Sequence, residues 1–175
     1  MLAHDLTTAD EPRAAAVLCH PHPGMGGDRF NIVVEALYRA LPPAGVSAIR
    51  FDFTSEDPAV ARAEATEALD LVAGDTPLWL IGYSFGADMA AGLVDPRLAG
   101  WVLVAPPLHF GPLACGDDPR PKLLLPPAHD QFSPPDRVVA ATADWTATEI
   151  DPVPGADHFL AGRTDWVATR VLDFI

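Results

Sequence analysis

Residues 78–86 read LWLIGYSFG, a short apolar run followed by the pattern G-x-S-x-G. The apolar run is typical of a buried strand, and residues 87–94 behind the motif have a helix-like pattern. In a strand-to-helix turn this sharp, side chains two positions before and after the apex would collide with neighbouring elements, and Gly82 and Gly86 avoid this. Ser84 at the apex would then present its hydroxyl above the carboxyl edge of a sheet, where we expect it to act as a nucleophile.

Strand and helix patterns alternate along the chain on both sides of this motif. Strands are predicted at residues 14–19, 46–51, 78–81, 101–104, 122–125 and 145–150, and helices from about 28 to 41, 57 to 72, 87 to 94, 134 to 143 and 164 to 174. Such alternation predicts an α/β fold with a mostly parallel central sheet covered by helices on both faces. The first dozen residues leave open whether the sheet has about six or about seven strands. An exposed edge strand there would allow a homodimer.

Length and composition place limits on the function. The 175 residues are enough for one domain, which we assign to residues 1–175, and the apolar runs are shorter than the ~20 residues of a membrane helix. With 11 Lys and Arg against 24 Asp and Glu, the net charge of −13 disfavours nucleic acids and anionic membrane surfaces as partners. The N-terminus has no secretory signal pattern, so a cytoplasmic location is expected. Cys19 and Cys115 lack metal-ligand spacing and are expected to be reduced, buried thiols.

A G-x-S-x-G pattern can arise by chance, so the rest of the catalytic machinery has to be found. A serine hydroxyl is a weak nucleophile and requires a base, for which histidine is the natural choice. His158 lies in the sequence PGADHF, in a loop between the last predicted strand and the last predicted helix. Because such a loop leaves the carboxyl end of a strand, on the same side of the sheet as Ser84, we predict His158 as the base.

The base in turn needs an acidic group to fix its tautomer. Asp130 follows the strand at residues 122–125, and the chain order Ser84, Asp130, His158 is that of Ser-acid-His hydrolases. Asp157 is a rival, but adjacent side chains in a loop seldom turn to meet each other. Asp117, Asp118 and Asp151 are expected to be solvated surface charges. We predict Asp130 as the acid.

An oxyanion hole requires two N–H donors near Ser84. The first is predicted to be Phe85, directly after the nucleophile. The second should come from the loop His-Pro-His-Pro-Gly at residues 20–24, where the prolines have no N–H, so that His22 and Gly24 remain and Met25 is next in line. His20 and His22 could alternatively hold a metal, but no acidic or Cys ligand accompanies them at a recognisable spacing, and we predict neither metal nor cofactor.

Five blocks of sequence together resemble the small α/β-hydrolase superfamily proteins that have no large cap. They are VLCHPHP with Gly26-Gly27, then RFDF at residues 50–53, LIGYSFGA at 80–87, APP at 105–107 and GADHF at 155–159, in this order over nearly the whole chain. The resemblance implies Ser84 as nucleophile, Asp130 as acid, His158 as base, and an oxyanion hole from Phe85 and the loop at 20–24. The chain departs from the family at residues 54–58, where a Gly-containing loop is usual, and at residues 126–130, where relatives have a Gly-led turn.

This machinery predicts a serine hydrolase that acts on small or moderate carboxylic esters through an acyl-enzyme. Thioesterase or amidase chemistry would use the same residues. A non-catalytic protein that binds a ligand or partner is the alternative from another class, since either departure could leave the triad misaligned. The side chains expected to line an apolar substrate pocket are Met25, Leu108, Phe110, Phe132 and Phe159.

Overall fold

The structure is a computed structural model that describes residues 2–72 and 74–175. Within these residues, seven strands form one sheet. They are β1 (His4–Thr7), β2 (Ala14–Cys19), β3 (Val46–Phe51), β4 (Leu78–Tyr83), β5 (Leu98–Val104), β6 (Lys122–Leu125) and β7 (Thr148–Ile150). Their order across the sheet is β1-β3-β2-β4-β5-β6-β7, with β1 antiparallel to β3 and every other pair parallel.

Helices cover both faces of the sheet. They are α1 (Ile32–Ala40), α2 (Pro58–Val72), α3 (Phe85–Ala91), α4 (Pro135–Ala141) and α5 (Thr164–Phe174). One face packs against apolar residues of α1 and α5, such as Leu37 and Val171, and the other against residues of α2 and α3, such as Leu69 and Met89. With both faces covered, β2, β3, β4 and β6 are buried at every position, which explains why their sequences are mostly apolar, with Ser47, Arg50 and Lys122 as buried exceptions. The predicted α/β fold with a mostly parallel sheet is confirmed.

The structure corrects or completes several predicted elements. The N-terminal segment supplies the edge strand β1, so the sheet has seven strands in the described residues. Helix α1 is capped by Asn31, whose side chain accepts the Val33 N–H, and not by Asp28, which instead accepts the Phe30 N–H in a local turn. Helix α3 begins at Phe85, two residues earlier than predicted, and ends at Ala91.

The order of the parallel strands places the functional loops side by side. β2 lies next to β4, and β5 and β6 follow on the other side of β4. The loops that leave the carboxyl ends of these strands therefore meet around Ser84, which is where sites form in open α/β sheets. Among the described residues, no helix is long and apolar enough to cross a membrane.

Candidate active site

Ser84 occupies a strained turn between β4 and α3. Its backbone has φ 53° and ψ −120°, an unfavourable conformation for a residue with a side chain. A Cβ at Gly82 would lie 2.2 Å from the Gly86 carbonyl oxygen, and one at Gly86 would lie 2.3 Å from the Cys19 carbonyl oxygen. Both glycines are thus required by close backbone approach, and the turn holds the serine above the edge of the sheet.

Ser84, His158 and Asp130 are connected by hydrogen bonds. Ser84 Oγ lies 2.9 Å from His158 Nε2, and His158 Nδ1 lies 2.8 Å from Asp130 Oδ2. Because an ionised carboxylate only accepts, Nδ1 carries the proton that it donates to Asp130, and Nε2 is left to accept from the Ser84 hydroxyl. This is the tautomer that a general base needs.

Asp130 is held by its own loop as well as by His158. Asp130 as a residue is 4% exposed, and its Oδ1 accepts the N–H groups of Phe132 at 2.7 Å and Ser133 at 3.1 Å. Burial alone would raise the pKa of Asp130, but the hydrogen bonds from His158 and from these two N–H groups bring it below its ordinary value. Asp130 is therefore ionised at neutral pH, as required of the group that orients an imidazole.

The acid and base loops are joined through their backbones. The N–H of Ala128 donates to the Val153 carbonyl at 3.0 Å, and the N–H of His129 donates to the Ala156 carbonyl at 2.8 Å. The Pro-rich lead into Asp130 thus extends the pairing of β6 with β7 and brings Asp130 beside His158. Asp157, the rival acid, is exposed and accepts the nearby Phe159 N–H instead.

The loop after β2 lies on the opposite side of Ser84. Its Met25 N–H donates to the His22 carbonyl at 3.1 Å, which leaves that N–H unavailable to a substrate. No hydrogen bond within the described residues engages the N–H groups of His22, Gly24 or Phe85. Of the two loop candidates, His22 lines the cavity beside Ser84 and Gly24 is not among its lining residues.

His20 has a structural role in this loop. Its Nε2 accepts the Phe53 N–H at 2.7 Å, and its Nδ1 lies 2.6 Å from the Pro21 carbonyl, to which it donates. Both ring nitrogens are therefore occupied, and burial lowers the pKa of His20. Within the described residues, no group of three His, Cys, Asp or Glu side chains is placed to hold a metal ion. Because both of its ring nitrogens are already hydrogen-bonded, His20 has no free nitrogen to offer a metal ion.

A cavity of about 330 Å³ opens in front of Ser84. Four of the five predicted pocket residues line it, namely Met25, Phe110, Phe132 and Phe159. Leu108 does not, because its side chain packs against the apolar core under α2 and α3. The lining also includes His22, Asn31, Tyr83 and His109, and none of the described lining residues is Lys, Arg, Asp or Glu. Histidine and tyrosine are therefore the only ionisable side chains among the described lining residues.

Asp88 is a buried carboxylate in α3 that the sequence analysis did not identify. It is 1% exposed and accepts the N–H groups of Leu108, His109 and Phe110 at 2.8, 2.8 and 2.9 Å. Burial raises the pKa of Asp88, and the three hydrogen bonds only partly oppose this. The carboxylate fixes the loop that carries His109 and Phe110 into the cavity wall. An acidic residue inside the otherwise apolar run FGADMAAGLV is a sequence signal that could have revealed it.

Comparisons with known proteins agree with this fold. No protein-family model matches the chain. An uncharacterized protein of Rickettsia prowazekii is 26% identical over 195 residues, covering 95% of this chain and 81% of that protein. A protein of unknown function from Agrobacterium tumefaciens, proposed to be an α/β-hydrolase, is 27% identical with a TM-score of 0.86, covering 99% of this chain and 89% of that one.

A lidless serine hydrolase provides a further match. The α/β serine hydrolase without lid from Xanthomonas campestris has 21% identity and a TM-score of 0.81, with 99% of this chain and 86% of that chain covered. The chain therefore has the α/β-hydrolase fold in its small, cap-less form, as its sequence blocks suggested. The similarity to these proteins supports hydrolase activity for this chain.

Proposed function

We propose that this protein is a serine hydrolase that cleaves small or moderate carboxylic esters through an acyl-enzyme. The observation that carries the proposal is the unbroken hydrogen-bonded path from Ser84 Oγ through His158 to Asp130, with distances of 2.9 and 2.8 Å. A serine, a base in the correct tautomer and a buried, ionised acid are the three parts that acyl transfer needs.

The reaction begins when His158 Nε2 takes the Ser84 proton as Oγ attacks the ester carbonyl carbon. The resulting oxyanion would accept hydrogen bonds from Phe85 N–H, at the start of α3, and from His22 N–H. His158 then returns the proton to the alcohol oxygen as the carbon–oxygen bond breaks, leaving an acyl group on Ser84. Water, activated by the same imidazole, releases the acid and restores the serine.

The same machinery would hydrolyse thioesters or amides, so the bond cleaved has to be measured. The cavity contains apolar side chains and no acidic, Lys or Arg side chain among the described residues, which favours uncharged substrates. The non-catalytic alternative assumed that the altered loops could misalign the triad. The observed hydrogen bonds argue against that assumption.

The test is hydrolysis of p-nitrophenyl esters of increasing acyl length by the wild type and by Ser84→Ala. We expect the variant to lose about 10⁴-fold or more in kcat/KM, because the nucleophile is gone. Ser55→Ala, at a serine outside the cavity, is the matched control and should behave as the wild type. A phosphonate probe should label the wild type at Ser84. Turnover that survives in Ser84→Ala, or absence of both turnover and labelling, would overturn the proposal.

A further inference from the structure

The two aromatic side chains beside His158 belong to the loops that carry the acid and the base. Phe132 follows Asp130 by two residues and Phe159 follows His158 directly. Their rings lie 4.7 and 5.8 Å from the His158 ring, both edge-on to it, and both line the cavity. The backbone N–H of Phe132 donates to Asp130 Oδ1, and that of Phe159 donates to Asp157 Oδ1. These hydrogen bonds hold the backbone of both phenylalanines in place. The two phenylalanine rings therefore form the part of the cavity wall that lies next to the His158 ring.

Both rings are unusually exposed for phenylalanine. Phe132 is 46% and Phe159 is 58% exposed, and Met25, which also lines the cavity, is 81% exposed. Apolar side chains that surround a cavity and face solvent are typical of a surface that a ligand covers. By contrast, Phe110, which also lines the cavity, is partly buried and packs edge-on against the buried Phe85 ring at 5.4 Å.

The chemistry of acyl transfer assigns a substrate group to the side of the base. The alcohol oxygen has to receive its proton from His158 Nε2, so the alcohol must lie against the imidazole while the oxyanion faces Phe85 and His22. The group attached to that oxygen would then contact Phe132 and Phe159. Since this side opens to solvent, large alcohol groups can fit there. Contact with the two rings should favour an apolar alcohol group, and an aromatic one most.

We propose that Phe132 and Phe159 form a leaving-group subsite that selects esters of uncharged aromatic or bulky apolar alcohols. The subsite rests on the proposed function, since it requires Ser84 to be acylated and His158 to protonate the departing alcohol. Its selectivity acts on formation of the acyl-enzyme, when the carbon–oxygen bond of the alcohol breaks.

The experiment compares ethyl, benzyl and 4-carboxybenzyl esters that share one acyl group, the best one in the p-nitrophenyl series. All three give the same acyl-enzyme, so differences in kcat/KM report on the alcohol alone. In the wild type we expect benzyl to exceed ethyl by at least about tenfold and 4-carboxybenzyl to fall below benzyl. Phe132→Ala and Phe159→Ala should each lower the benzyl-to-ethyl ratio about threefold, and the double variant about tenfold, which brings the ratio close to one.

The ratio separates a subsite from general damage to the triad, because a displaced His158 would slow both esters alike. Phe30→Ala is the matched control, since Phe30 is 53% exposed but lies outside the cavity, and its ratio should equal that of the wild type. Equal rates for benzyl and ethyl esters in the wild type, or an unchanged ratio in the double variant, would overturn the subsite while leaving the serine hydrolase intact. If no p-nitrophenyl ester is hydrolysed and Ser84 is not labelled, the proposed function itself fails.

Discussion

Two buried carboxylates of the candidate active site and its supporting helix, Asp130 and Asp88, have nearly the same burial, but their pKa values are shifted in opposite directions. They are 4% and 1% exposed, and both accept hydrogen bonds from backbone N–H groups of a loop. Asp130 has in addition an imidazole at 2.8 Å, whereas every hydrogen bond that Asp88 accepts in the described residues comes from backbone N–H groups. Burial opposes ionisation of both, but the pKa of Asp130 is lowered and that of Asp88 is raised.

The difference shows how one chemical group can serve the reaction or the scaffold. In the proposed mechanism, Asp130 keeps His158 in the tautomer that accepts the Ser84 proton. Asp88 lies in the first turn of α3, where the helix dipole favours a negative charge, and it holds the cavity loop in place. That loop needs such support because Leu108 has a positive φ of 59°. We therefore expect substitution of Asp130 to affect mainly catalysis and substitution of Asp88 to affect mainly stability.

The largest expected effect is on catalysis, from Asp130→Asn. The amide can still accept the Phe132 and Ser133 N–H groups through its oxygen, but it presents an NH₂ to His158 Nδ1. The imidazole then carries its proton on Nε2 and cannot accept the one from Ser84. We expect kcat to fall about 10³–10⁴-fold, with the free energy of unfolding changed by less than about 1 kcal/mol. Ester turnover and urea unfolding would measure both.

The two readouts together test the role given to Asp130. If the loss in the free energy of unfolding were as large as the loss in activation free energy, Asp130 would be a scaffold residue. It would then not differ in role from Asp88. Asp157→Asn is the matched control, since Asp157 is adjacent to the base but exposed and without a contact to the His158 ring nitrogens. It should keep near wild-type turnover.

The comparison also shows which parts of the site the sequence could predict. Ser84, His158 and Asp130 were predictable because each follows a recognisable strand, and parallel strands bring their carboxyl ends together.

The role of Asp88 was not predictable. Asp88 depends on contacts with residues 108–110, about 20 positions away in an irregular stretch whose positive φ values have no periodic signal. Leu108 was misplaced for the same reason, because its side chain direction follows from that backbone. The cap of α1 is Asn31 and not Asp28 because two short polar residues precede this helix, and the local turn geometry selects between them.

The second expected effect is on stability, from Asp88→Ala. Removing the carboxylate leaves three N–H groups of a partly buried loop without partners, and it removes the contact that ties this loop to α3. We expect a loss of roughly 2–4 kcal/mol in the free energy of unfolding. Since His109 and Phe110 line the cavity, KM should rise more than kcat falls. Asp144→Ala, at an exposed aspartate in a turn, should change stability by less than about 0.5 kcal/mol. A similar small change in Asp88→Ala would contradict its scaffold role.

The smallest expected effect is a difference in how stability depends on pH. A raised pKa in the folded state means that Asp88 contributes stability below its ordinary value of 3.8, which is lost as the pH rises through the folded value. The free energy of unfolding of the wild type, relative to that of Asp88→Asn, should therefore increase as the pH is lowered from 7 towards 4. Asp130 has the opposite sign: its contribution is present above 3.8 and is lost as the pH falls below that value through the folded pKa. Urea unfolding at a series of pH values measures both gaps. Equal slopes for the two variants over the acid range would mean that the two carboxylates share one electrostatic environment, and that the imidazole next to Asp130 does not distinguish them.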